Sequence, residues 1–181
     1  MINDTHIVID LETLGIGPRA VIATIGVVVV EQLQVTRELY LRAELEGWQQ
    51  RERQCDASTS AFWLRQSEAA RHELTTKEAR LPLDVALGHI IELVDPYHRP
   101  CVWANSPSFD CAILHNAFDQ CAFDTPWEYW QERDIRTLTA LFPAVKEIPF
   151  EGIKHHALHD ARHEAKQLIE GLRLVGLGGE A

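Results

Sequence analysis

Two acids one residue apart, Asp10 and Glu12, close the apolar run His6-Ile7-Val8-Ile9-Asp10-Leu11-Glu12-Thr13-Leu14-Gly15. Alternate residues of a strand share a face, so the two carboxylates stand side by side while Ile9 and Leu11 turn into the protein. Like charges this close repel, and a divalent cation between them removes the conflict. Two more acids, Asp110 and Asp160, and a histidine, His155, fall where such a centre can use them. Each has a bland reading: a solvated strand end for the D-x-E pair, a helix cap for Asp110 or Asp160, a surface histidine for His155. The set taken together points to chemistry. Four carboxylates are hard oxygen ligands suited to Mg²⁺ or Mn²⁺.

The elements that must position these residues are legible in outline. After a turn at Gly15-Ile16-Gly17-Pro18, the run Val21 to Val30 is rich in β-branched residues and too apolar to be exposed on either face, as expected of a central strand. Val35 to Ala43 alternates and completes a meander. Glu44 to Ser58 has no period and reads as a loop or a poorly regular segment, after which Ser58 or Ser60 caps a short helix through Ala61 to Gln66, followed by Glu68 to Leu74. Leu83 to Val94 is an amphipathic helix closed by Pro96. Cys101 to Ala104 is a short buried strand, Asn105 to Ser108 a turn, and Phe109 to Cys121 a helix with Asp110 in its first turn, a common place for functional residues in α/β folds. Asp134 to Phe142 reads as a short helix capped by Asp134, and Pro143 to Ile153 as an irregular crossing loop. His156 to Val175 is the longest helical pattern, with Ala157, Ala161, Ala165, Leu168 and Leu172 on its buried stripe.

The 181 residues, 46% of them hydrophobic, suit one domain with a single sizeable core, expected over 1–175 with a fraying tail at 176–181. A formal net charge of −10 excludes a broad basic surface for gripping nucleic acid, although bound cations would invert the charge inside a pocket. Cys55, Cys101, Cys111 and Cys121 lack zinc-ribbon or C-x-x-C spacing, which suggests reduced thiols in an intracellular, cytoplasmic protein. No signal-peptide pattern and no span of some ~20 apolar residues is present.

The I-D-x-E-T strand, a second Asp preceded by Phe at a helix start, and His155-His156-Ala157-Leu158-His159-Asp160-Ala161 together resemble the DnaQ-like 3′ to 5′ exonucleases of the DEDDh type. The likeness runs from the first strand to the last helix. The stretches Phe62 to Gln66 and Trp103 to Asp110 look like the phage and mycobacterial branch of small exoribonuclease-like proteins. The resemblance implies an RNase H-like fold, a mixed β-sheet flanked by α-helices, in a single α/β domain. It implies Asp10, Glu12, Asp110 and Asp160 as the family acids and His155 as the family histidine; His156 has the wrong offset. The expected activity is 3′ to 5′ hydrolysis of single-stranded RNA or DNA ends to nucleoside 5′-monophosphates, with RNA slightly favoured, and a homodimer is an expected assembly. Thr13 and Leu14 would meet the terminal nucleotide through a backbone contact and an apolar wedge. Trp63 and Phe109 are candidates for stacking on a base, with core packing as the competing role for both. DnaQ proofreading subunits carry Asn four residues before the second Asp; here that position is Ser106 and Asn105 lies one earlier, so both stand as candidates for its contact.

Phosphodiester hydrolysis needs a strong nucleophile, shielding of charge on the phosphoryl oxygens and help for the leaving 3′ oxygen, and two divalent cations meet all three needs. Histidine, with an ordinary pKa near ~6.5, suits the task of taking the proton of the attacking water, and that role falls to His155. Two rival readings belong to other classes. His155, His159 and His163 recur every four residues and on one helix face would make a zinc site. A binding module that kept the fold without activity is the other, but the full set of acids and the histidine gives it no support. Arg162, beside Asp160, is better read as half of a surface ion pair than as a phosphate ligand.

Overall fold

The structure, a computed structural model, describes residues 5–176; the tail expected from 176 onward therefore lies, beyond Gly176, outside the described residues. β1 (Thr5–Thr13) forms the middle of a six-stranded mixed sheet because its apolar residues Ile7, Val8, Ile9 and Leu11 fall on both faces and can be covered on both sides. It pairs antiparallel with β2 (Ile22–Glu31), which pairs antiparallel with β3 (Gln34–Ala43). The valines of β2 favour extended backbone and are fully buried. The central strand and the meander match the sequence expectation.

Beyond β3 come α1 (Ala57–Leu64), α2 (Glu68–Thr75), the two-residue β4 (Arg80–Leu81) and α3 (Leu83–Val94). The chain then crosses to the far side of β1, where β5 (Cys101–Ala104) runs parallel to it. α4 (Asp110–Gln120), β6 (Glu132–Asp134), α5 (Ile135–Leu141) and α6 (Ala157–Leu174) follow. The sheet order is β4-β3-β2-β1-β5-β6. β4 and β6 escape the sequence reading because two or three residues are too few for alternation to show.

Helices cover both faces. Ile7, Ile9 and Leu11 pack with α3 and α4, and Val8, Val28 and Val30 pack under α5 and α6. Each fully buried side chain of this kind contributes roughly 1.5–3 kcal/mol relative to exposure. Ile9 and Leu11 turn into the core as expected, and the opposite face, which carries Asp10 and Glu12, is also roofed, by α6.

One correction concerns the stretch before α1. The helix starts earlier than expected, with Asp56 at its N-cap, so Ser58 and Ser60 lie inside it. The Asp56 carboxylate instead accepts the Ile16 N–H at 2.7 Å, tying the helix to the turn after β1. The aperiodic segment from Glu44 onward is irregular, as expected, with one short 3-10 turn at Gln50–Glu52, and is held in place by its side chains. Its buried Gln50 donates to Ile22 O at 2.6 Å and accepts from Ile22 N at 3.3 Å, and the buried Arg53 donates to Ala20 O at 2.7 Å and to Gln120 Oε1 at 2.9 Å. Polar side chains here satisfy backbone groups that a strand would otherwise pair, which leaves no hydrophobic period to read.

Candidate active site

β1 outruns its parallel partner. Pairing with β5 stops at Val8 and Trp103, so the backbone of the next residues has no strand on that side. α4 supplies the missing partner: Asp110 Oδ1 accepts the Leu11 N–H at 3.2 Å, anchoring the third acid against the strand that carries the first two. Asp110 is buried at the start of α4, and the Ser106 carbonyl holds its backbone N–H.

The fourth acid arrives with α6, and Gly26 permits its approach. Gly26 faces Asp10 across the β1–β2 ladder, and a Cβ there would lie 2.2 Å from Ala157 O. With no side chain in the way, the first turn of α6 rests on the sheet backbone. Asp160 Oδ2 accepts the N–H of His156, the N-cap residue, at 3.0 Å. Asp10, Glu12 and Asp160 each then present an oxygen within 4.8 Å of the other two, and they are the one such acidic or histidine/cysteine group among the described residues.

Burial is the main reason the protons of these acids are held above the ordinary carboxylate range, and mutual repulsion adds to it. Asp10 is pushed well up by burial and then by Glu164, Glu12, Asp110 and Asp160. Glu12 is raised by burial, Asp160 and Asp110. Asp110 is pushed to about 7 by burial, against the pull of backbone N–H groups that favour its charged form. Asp160 is raised by burial, and His155 and two backbone amides oppose the shift. A cluster that resists ionising all its members, built from hard oxygen donors, fits a hard divalent cation.

His155 stands before the helix with φ of 63°, a left-handed turn that aims its ring back across β1. Its Nδ1 lies 3.9 Å from Glu12 Oε1. The edges of Phe62 and Trp63 flank the imidazole, with centroids 5.0 and 6.1 Å away. The three histidines of the zinc reading are not gathered: His155 is off the helix, His159 Nδ1 accepts the Ile153 N–H at 3.0 Å and stacks on His156, and His163 meets Gln167 and Phe150. Arg162 forms a two-pronged ion pair with Glu38, as expected.

A cleft of roughly 350 Å³ opens beside Glu12 and His155, lined by Leu11, Thr13, Ile16, Phe62, Trp63 and Phe109 with Ser58 and Thr59. Thr13 is held in place, its carbonyl accepting the Trp63 indole N–H at 2.9 Å and its hydroxyl donating to Gly15 O at 2.7 Å. Trp63 is 5% exposed, so it shapes the wall more than it offers a face. Leu14 is absent from the lining and packs with Ala23, Trp63, Ala70 and Leu74. The apolar side chain that does reach the cleft from this turn is Ile16, which is 69% exposed. Asn105 is exposed, and the Ser106 hydroxyl accepts from Arg136 at 2.7 Å; neither lines the cleft.

Ile16, Phe62 and Glu164 were missed from sequence. Phe62 was legible only as part of a motif. Glu164 lies one helical turn after Asp160, a spacing that puts both on one face of α6, and that signal was available. No disulfide joins the cysteines among the described residues; Cys55 is exposed and Cys101 and Cys111 are buried. Among the described residues no helix is long and apolar enough to cross a membrane.

A family described as the 3′-5′ exoribonuclease Rv2179c-like domain matches residues 5–171. An exodeoxyribonuclease of Enterobacteria phage T4 is 24% identical over 194 residues, spanning 90% of this chain and 85% of that protein. The nuclease domain of 3′hExo, a DEDDh family member bound to rAMP, superposes with a TM-score of 0.66 at 13% identity, covering 98% of this chain and 95% of that one. Escherichia coli Exonuclease I in complex with a dT13 oligonucleotide gives a TM-score of 0.67 at 15% identity over 97% of this chain, which corresponds to 42% of that longer chain.

Proposed function

The chain belongs to the 3′-5′ exoribonuclease Rv2179c-like domain family and is a 3′-5′ exonuclease, and on that premise we propose that it trims single-stranded ends, RNA ahead of DNA, to nucleoside 5′-monophosphates. The observation that carries this reading is the meeting of Asp10, Glu12 and Asp160 oxygens within 4.8 Å at the mouth of an aromatic cleft with His155 on its rim. Asp10, Glu12, Asp110 and Asp160 would hold two Mg²⁺ or Mn²⁺ ions. When bound, such ions lower the pKa of water toward ~7 and shield charge on the phosphoryl oxygens.

The chain's own residues divide the remaining work. His155, aimed across β1 by its left-handed backbone, takes the proton from the attacking water, and the ring edges of Phe62 and Trp63 limit its rotamers. The backbone of Thr13, fixed by Trp63, is the candidate contact for the terminal 3′ hydroxyl. Phe109, Leu11 and Ile16 form the apolar walls for the last base, where base-on-aromatic stacking is worth roughly 1–3 kcal/mol. The net charge of −10 disfavours tracking along duplex DNA and suits short or single-stranded ends. The family description and the rAMP-bound relative favour RNA, whereas the phage relative and the dT13 complex favour DNA, so sugar preference is a quantity to measure.

The test is hydrolysis of 5′-labelled single-stranded RNA and DNA of one sequence with Mg²⁺, Mn²⁺ or EDTA, beside Asp10→Ala. A ladder shortening from the 3′ end, dependent on the ion and lost in the variant, is expected, with RNA the faster. Equal products with and without EDTA would overturn the metal-dependent reading.

A further inference from the structure

Four carboxylates carry a formal charge that two divalent ions balance, yet the centre contains a fifth. Glu164 projects from α6 on the face of Asp160 and is 7% exposed. Its Oε2 is buried without any hydrogen-bond partner, an expensive condition for a carboxylate oxygen in the interior. The rest of the group lies against the backbone amide of Asn105, at the end of β5, which puts it on the side of the centre where α4 begins. Its charge repels those of Asp110 and Asp160, and also that of Asp10.

The acids therefore form two poles around Asp10. One is the close group with Glu12 and Asp160. The other is Asp110 at the start of α4 together with Glu164 beside Asn105, neither of which belongs to that close group. Resting on the two-cation reading above, we infer that Glu164 supports Asp10 and Asp110 in holding the second divalent cation through a bound water, while Glu12 and Asp160 hold the first. A packing role does not explain the side chain, since an apolar residue of similar size would fill the same space without an unsatisfied oxygen.

Calorimetric titration of Mn²⁺ into the protein saturated with adenosine 5′-monophosphate tests this, using the parent, Glu164→Gln, Glu12→Gln and Asp10→Asn. The parent is expected to take up two ions. Glu164→Gln should weaken one of them by about 10- to 100-fold and leave the other within about twofold, the range seen when a supporting group of a metal site is lost. Glu12→Gln should weaken the other ion, and Asp10→Asn both. Melting in EDTA separates metal binding from packing: relief of like-charge crowding should leave Glu164→Gln melting at or above the parent. Two ions bound with parental affinity by Glu164→Gln, or a lower melting temperature in EDTA, would overturn the inference alone. Uptake of a single ion by the parent, or unchanged binding by Asp10→Asn, would overturn the two-cation reading and the inference with it.

Discussion

Gly26 lies so close beneath Ala157 that a single added carbon would sit 2.2 Å from the Ala157 carbonyl oxygen and 2.4 Å from the Leu158 nitrogen. The contact is backbone against backbone, so no rotamer change can relieve it. It sets the height of α6 above the sheet and, through it, the distance from Asp160 to Asp10.

Gly26→Ala should therefore lift the start of α6. Overpacking of this kind costs about 1–3 kcal/mol, and displacement of a catalytic group by an ångström can cost about 10²-fold in rate. The expected variant is folded, melts lower and has turnover reduced by about 10- to 100-fold. Circular dichroism melts and single-turnover hydrolysis check both parts.

His155→Ala should reduce turnover by about 10² to 10⁴, the span for a general base, while Mn²⁺ affinity stays within a few-fold of the parent. Calorimetry beside the hydrolysis assay separates the two effects. Loss of metal binding in this variant would reassign His155 as a ligand.

Without metal, stability should fall as pH rises. Asp110, held near 7 in the folded chain against an ordinary 3.8, and Asp10, Glu12 and Glu164, also raised, bind protons more tightly when folded. Their contribution is complete below the ordinary carboxylate range and disappears as pH climbs through about 7 and beyond. Glu38 beside Arg162 and Glu73 beside Arg42, both lowered, act the opposite way only at acid pH. Between pH 5 and 8, melting temperature in EDTA should drop by roughly 5 °C or more, given about 2–4 °C per kcal/mol for a domain of this size. Saturating Mg²⁺ should flatten that slope, as melts across the pH series would show.

Trp63→Phe keeps the ring and removes the N–H that holds Thr13 O. Leaving that buried carbonyl unpaired costs about 1–3 kcal/mol. Urea unfolding should report that loss, and KM for a single-stranded substrate should rise more than kcat falls, because Thr13 is the candidate contact for the 3′ terminus.

Sequence alone determined the strands of the meander, α3, β5, α4 and α6, and singled out the four acids and the histidine as candidates. Those elements are long or bounded by strong punctuation, and D-x-E in a strand fixes a shared face by geometry within a few residues. Where no local period exists, the sequence was silent or misleading. β4 and β6 are strands only because longer neighbours extend their backbone. The Glu44 to Ser58 segment is ordered by Gln50 and Arg53 reaching backbone groups about 30 residues away. Leu14 and Ile16 exchanged roles because the turn after β1 rotates one into a small core and the other to the cleft.

The tertiary structure also decided what the acids do to one another. Asp10 and Asp160 are 150 positions apart in sequence, and their approach depends on Gly26 having no side chain and on His155 adopting a left-handed backbone before α6. Burial beneath that helix turns five ordinary carboxylates into groups that resist ionisation together. Residue types and local spacing are written in the chain, whereas proximity, exclusion of water and the placement of Glu164 against Asp10 and Asp110 arise from long-range packing that no local pattern encodes.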